Sequence, residues 1–214
     1  MPARLDSVLE VVYLVFNEGY AASAGDDWMR TALCEEALRL GRILAHRLPG
    51  EAAVHGLLAL MELQASRSAA RLGGDGSPVL LDDQDRGRWD HAQVARGCAA
   101  LQRALALDGG GDRYVLQAAI AECHAVARRA QDTDWARIAA LYAALARAHP
   151  SPVVELNRVV AVSRARPRSP GTPGRRQCSR RVPNRHADPP VRRPAPLLRP
   201  RSDGLRPWHA GRRG

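Results

Sequence analysis

The chain reads as an all-α protein, an array of stacked helical hairpins resembling tetratricopeptide repeats, with a disordered arginine- and proline-rich tail. Three observations lead there. Apolar residues recur at three- and four-residue steps from about residue 4 to 165. Glycine, proline and aspartate break that rhythm at regular intervals, and no segment sustains a two-residue alternation. The composition then changes within a few residues after Ser163. We therefore place a helical domain at 1–165 and the tail at 166–214.

The first helix holds the run VVYLVF and is expected to stop at Asn17–Gly19, with Gly19 as a left-handed cap and Phe16 and Tyr20 packed on the next helix. Met29, Leu33, Ala37, Leu40, Leu44 and Leu48 mark one face of the second, which ends at Pro49-Gly50. A third is predicted over about 51–71, burying Val54, Leu57, Leu58, Met61 and Ala65. After the loop GGDGSPVLLDDQD comes a fourth, roughly 87–107, turning Val94, Cys98, Leu101 and Leu105 inward. Asp108 and three glycines end it, and a fifth runs over about 112–128. DTDW then offers N-caps for a helix carrying Trp135, Ile138, Leu141, Tyr142 and Leu145. His149-Pro150 stops that one, and Pro152 opens the last. The glycine-rich stretches GGDG and DGGG are read as flexible connections.

The net charge of +10 suggests a nucleic-acid partner, until it is partitioned. Residues 1–165 carry 18 arginines against 20 acidic residues, whereas 166–214 carry 14 arginines against two aspartates and ten of the 15 prolines. All 32 basic residues are arginine, which points to GC-rich coding DNA. The favoured reading of the tail is a frame change that cuts the last helix short. A genuine arginine arm that binds DNA non-specifically is the alternative. Cys34, Cys98, Cys123 and Cys178 form no CxxC pair, and buried free thiols suit a reducing cytoplasm. VVYLVF is too short to cross a membrane.

The blocks VVYLVFNEGYAAS, LCEEALRLGRIL, GLLALMELQASRSAAR, LLDDQDRGRWD, LQAAIAECHA and DTDWARIAALYAALARAHPSPVVELNRVVAV together resemble one family. It is the group of extracytoplasmic-function (ECF) RNA polymerase sigma factors with a long helical C-terminal extension. The resemblance covers about residues 4–163. It implies a regulatory role in transcription initiation, with RNA polymerase, the sigma core domains or a further regulatory protein as partners. Sigma regions 2 and 4, which hold the promoter-binding elements, have no counterpart here, so the chain reads as a fragment. A chain with no function of its own is a further alternative.

Candidate partner-contact positions follow from these blocks. Asn17, Glu18, Gly19 and Tyr20 close the first, where a simple helix end is the favoured reading and a groove lined by Asn17 and Glu18 the alternative. Asp82, Asp83 and Asp85 lack the glycine and distal glutamate of a calcium loop. A helix cap at Asp85 or nearby, with Arg86 and Arg88 pairing across the turn, is the plainer reading, and a docking surface for a partner is the alternative. Trp89, Asp134, Trp135 and Asn157 complete the set, Trp28, Trp89 and Trp135 being expected to pack between hairpins. Cys123 and His124, as helix neighbours, diverge too far to share a metal. No HExxH, GxSxG or phosphate-binding loop occurs. We expect no enzyme activity and no cofactor.

Overall fold

The computed structural model describes residues 2–21 and 28–165. Seven α-helices make up the described fold. They are α1 (Pro2–Ala21), α2 (Trp28–Arg47), α3 (Ala52–Ala65), α4 (His91–Ala106), α5 (Arg113–Ala125), α6 (Trp135–Ala148) and α7 (Pro152–Ala165). Short 3-10 turns lie in the connections, and among the described residues there is no strand, only an isolated bridge between Leu72 and Pro78. The fold is all-α. No described helix is long and apolar enough to cross a membrane. The expectations for the side chains of Trp28 and Met29, for Cys178 and for the tail lie outside the described residues.

Helices adjacent in sequence pack together, and α3 is the central one, touching α1, α2, α4 and α5. Its sequence explains its place. AAVHGLLALMELQA is apolar nearly all round, and such a helix finds cover only in the middle of a fold. Leu9, Val12 and Phe16 from α1 join Ala37 and Leu38 from α2, most of α3, and Leu101 and Val115 in one core. A second core gathers Leu116, Ile120 and Cys123 from α5 with Ile138, Leu145 and Ala161. The neighbours Val115 and Leu116 point into different cores, so α5 is the shared wall.

Two glycines let the central helices close up. A Cβ on Gly56 would lie 2.9 Å from the backbone nitrogen of Val115, and one on Gly97 would lie 2.7 Å from Leu63 Cγ. The buried α3 also carries Glu62, 1% exposed, whose carboxylate accepts from Arg42 at 2.7 and 2.9 Å and from Arg96 at 3.5 Å. A buried charge needs such partners, since stripping it of water is costly.

Several sequence expectations are corrected. α1 does not stop at Asn17–Gly19: it runs helically through Gly19 to Ala21, because Arg71 donates to the Tyr20 carbonyl and Arg67 to its hydroxyl. α3 ends at Ala65, where the Ser66 hydroxyl bonds back to the Leu63 carbonyl and a 3-10 turn over Ser68–Ala70 takes over. α4 starts at His91, capped by Asp90, whose carboxylate accepts from Gln93 N at 2.8 Å. Its inward face is Val94, Gly97, Leu101 and Ala104, whereas Leu105 is exposed and Cys98 half-buried. Leu33 is exposed and Leu58 only half-buried. The DGGG stretch is an ordered 3-10 turn entered by Asp108 at φ 58° and seated through the buried Gly109.

Candidate functional site

Where α3, α5 and α6 meet the segment 81–89, the surface folds into a cleft of about 220 Å³. Leu60 and Leu63 of α3 and Ile120 of α5 supply an apolar floor, with Tyr142 of α6 beside them. Gln64, Arg67, Gln117 and His124 add polar groups. Gln117, Ile120, Ala121 and His124 fall on one face of α5 because they are three, four and seven residues apart. Trp89 forms part of the wall and is 4% exposed.

Arginines knit the surrounding segments together. Arg67 Nε donates to the Tyr20 hydroxyl at 3.0 Å, and Arg71 lies 3.8 Å over the Tyr20 ring. Phe16 and Tyr20 stack at 5.4 Å. Arg86 stacks 4.7 Å from Trp89 and donates through Nη1 to the carbonyls of His124 and Ala127, the latter at 3.0 Å. It thereby satisfies the His124 carbonyl in the last turn of α5, which has no partner further along the helix, and the Ala127 carbonyl just beyond it. Arg164 of α7 pairs with Asp82 at 2.7 Å and lies 5.0 Å from the Trp135 ring. Trp135 in turn meets His124 edge-on at 5.3 Å.

The cleft has a positive surrounding. Burial first, then the Arg67 and Arg86 charges, push the His124 imidazole down to about 4, against an opposing pull from Asp82. His124 is therefore neutral at physiological pH. Burial also lowers the Arg86 guanidinium. Among the described residues, six buried side-chain atoms have no hydrogen-bond partner: Gln84 Oε1, Arg86 Nε and Nη2, Trp89 Nε1, His124 Nδ1 and Thr133 Oγ1. Such atoms are rare in folded proteins and each costs about 1–3 kcal/mol.

The residues singled out from sequence divide into two groups. Tyr20, Asp82, Trp89 and Trp135 are drawn together around the cleft through Arg67, Arg86 and Arg164. Asn17 and Glu18 sit on α1, half-buried and exposed, and Gly19 is a helical residue rather than a cap. Asp83 is exposed. Asp85 caps only the 3-10 turn Arg86–Arg88, accepting from Gly87 N at 2.9 Å, and Arg86 pairs with carbonyls instead of with the aspartates. Asp134 is the N-cap of α6, accepting from Arg137 N at 2.9 Å. Asn157 is half-buried on α7. Sequence reasoning missed Arg67, Gln117, His124 and Tyr142. The spacing of Gln117, Ile120 and His124 was the available signal, hidden because His124 was weighed only as a metal ligand. Among the described residues, no group of three His, Cys, Asp or Glu side chains is placed to hold a metal.

A second feature lies at the two ends of the helical order. Val11 is 59% and Leu14 61% exposed on α1, with Val8 beside them. On α7, Leu156 is 65% and Val159 59% exposed, flanked by Val153 and Val160.

Residues 4–105 match DUF6596, a family of unknown function. An uncharacterized protein of Rhizobium meliloti (strain 1021) is 47% identical over 161 residues, which is 75% of this chain and 38% of that protein. No solved structure matches. The chain thus spans well under half the length of this relative and is similar to it over most of its own helical part.

Proposed function

We propose that the helical domain acts through protein–protein contacts as a regulatory extension in transcription initiation, in the manner of the C-terminal extension of an ECF sigma factor. The observation that carries the contact role is the pair of bare apolar faces, Val8, Val11 and Leu14 on α1 and Val153, Leu156, Val159 and Val160 on α7. Stacked helical units bury such faces only against a neighbour, so a face left open is a place for one. The transcription part rests on the ordered sequence blocks described above, and on no other observation. The partner is RNA polymerase, a sigma core domain or a regulatory protein that reads one of these faces by helix-in-groove docking. A cytoplasmic location goes with this reading.

Binding of the purified chain to core RNA polymerase, with and without a sigma core, tests it. Retention by either partner that falls at least tenfold in a Leu156→Asp, Val159→Asp chain and in a Val11→Asp, Leu14→Asp chain fits the proposal. Retention unaffected by both, or none at all, counts against it.

A further inference from the structure

We propose that the cleft between α3, α5, α6 and the segment 81–89 is a binding site for a small aromatic monocarboxylate. Its ring would rest on Leu60, Leu63, Ile120 and Tyr142, and its carboxylate would be held by Arg67 and the Trp89 indole N–H. Three features define that class. At about 220 Å³ the cleft falls below the roughly 300–1,000 Å³ of drug-sized sites, so it suits a single-ring body. Its floor is aliphatic with one tyrosine, which favours a flat apolar group over a sugar or a peptide. Its charged neighbours are Arg67, Arg86 and Arg164 against Asp82, which pairs with Arg164, and Asp132, which acts on Arg86. Among the described residues, Arg67 is left as the cation without a carboxylate opposite it, a balance that matches one negative charge rather than two.

The second, independent observation is the unpartnered polar group in the wall. Trp89 is 4% exposed, lines the cleft, and its Nε1 has no acceptor. His124 also lines the cleft, and its Nδ1 has no partner. A buried N–H without an acceptor is destabilising, and a carboxylate oxygen relieves that cost through a charge-assisted bond. The neutral His124 can offer a second N–H in one tautomer without adding charge. Because these nitrogens are covered, the acceptor reaches them only as segment 81–89 yields by a small shift. That segment is tied by a few anchors, the Arg164–Asp82 pair and the Arg86 bonds to α5 among them. Occupation of the cleft would therefore be felt at α7 through Asp82 and Arg164.

The inference concerns the purified chain alone and does not rest on the transcription reading, so either can fail without the other. The experiment titrates the full chain with phenylacetate, phenylacetamide and phenyl phosphate, read by tryptophan fluorescence and by saturation-transfer NMR on the probe. Saturable phenylacetate binding, tenfold or more tighter than the amide and the phosphate, is expected. Arg67→Gln should erase the preference for carboxylate over amide. Trp89→Phe keeps the ring, removes the N–H, and should weaken phenylacetate about tenfold. Ala121→Phe fills the cleft from α5 and should abolish binding of all three with an unchanged far-UV spectrum. If that variant misfolds, Trp89→Phe decides. Binding that does not saturate below roughly 10 mM overturns the proposal. So does equal affinity for the amide, tighter binding of phenyl phosphate, or binding that survives Ala121→Phe.

Discussion

Gly56 offers the sharpest test of how α3 and α5 pack. Replacing glycine by alanine inside a helix ordinarily gains about 1 kcal/mol, because alanine loses less backbone freedom on folding. At Gly41 in α2 that gain should survive. The new Cβ would meet the Met61 Cε at 2.7 Å, and this is the end of a flexible thioether chain that can swing away. At Gly56 the new methyl would lie 2.6 Å from Val115 Cγ2, 2.9 Å from Val115 N and 3.2 Å from its Cα. A backbone cannot rotate aside, so α5 must move as a whole and loosen both cores that it walls. Overpacking of this kind costs about 1–3 kcal/mol, and the lost contact between helices adds to it. Subtracting the propensity gain leaves Gly56→Ala destabilised by about 1–2 kcal/mol, and Gly41→Ala stabilised by about 0.5–1 kcal/mol. Urea denaturation of the full chains, followed by far-UV circular dichroism, measures both. If Gly56→Ala proves as stable as Gly41→Ala, the close approach of α3 and α5 described here is wrong.

Asp112 caps α5 by accepting from Tyr114 N at 2.8 Å and Val115 N at 3.1 Å. Asp112→Ala should therefore cost about 1 kcal/mol in the same denaturation assay. His124 has a folded pKa of about 4 against about 6.5 when unfolded, so the unfolded chain binds the extra proton first as pH falls. Its contribution is present in full above pH 6.5, is lost between 6.5 and 4, and amounts to about 3 kcal/mol. His124→Asn should flatten that slope in urea midpoints taken across the interval. The bare α7 face should make the chain self-associate, visible as sedimentation coefficients that rise with concentration. Leu156→Asp with Val159→Asp should return the protein towards a monomer, and a wild-type chain that stays monodisperse would refute the expectation.

The helices themselves were legible because their apolar periodicity, their prolines and their aspartate caps are local signals. Pro152 opening α7 and Asp134 capping α6 are examples. The ends of α1, α3 and α4 were misread where a distant residue decides the matter. Gly19 sits in a sequence that looks like a helix stop, yet Arg67 and Arg71, about 50 positions later, hold Tyr20 in the helix. Asp85 and Asp90 are both credible caps. Only the 3-10 turn between them, with Arg86 drawn to the carbonyls of His124 and Ala127, tells which one starts α4. The aromatic positions Tyr20, Trp89 and Trp135 stood out by rarity. Their arginine partners did not, because arginine is the most ordinary charged residue of this chain. Glu62 was invisible for the opposite reason: an acidic residue in an apolar helix reads as its solvent edge until Arg42 and Arg96 are seen to reach in.

The regulatory role proposed above stands or falls on transcription itself. The most direct measurement combines core RNA polymerase with the longer Rhizobium meliloti relative, intact or lacking the segment that aligns with this chain, and maps transcript starts on genomic DNA. The account predicts promoter-directed starts with the intact protein and a changed level or choice of starts once the segment is removed. No directed starts with the intact protein, or an identical start map after the deletion, would contradict it.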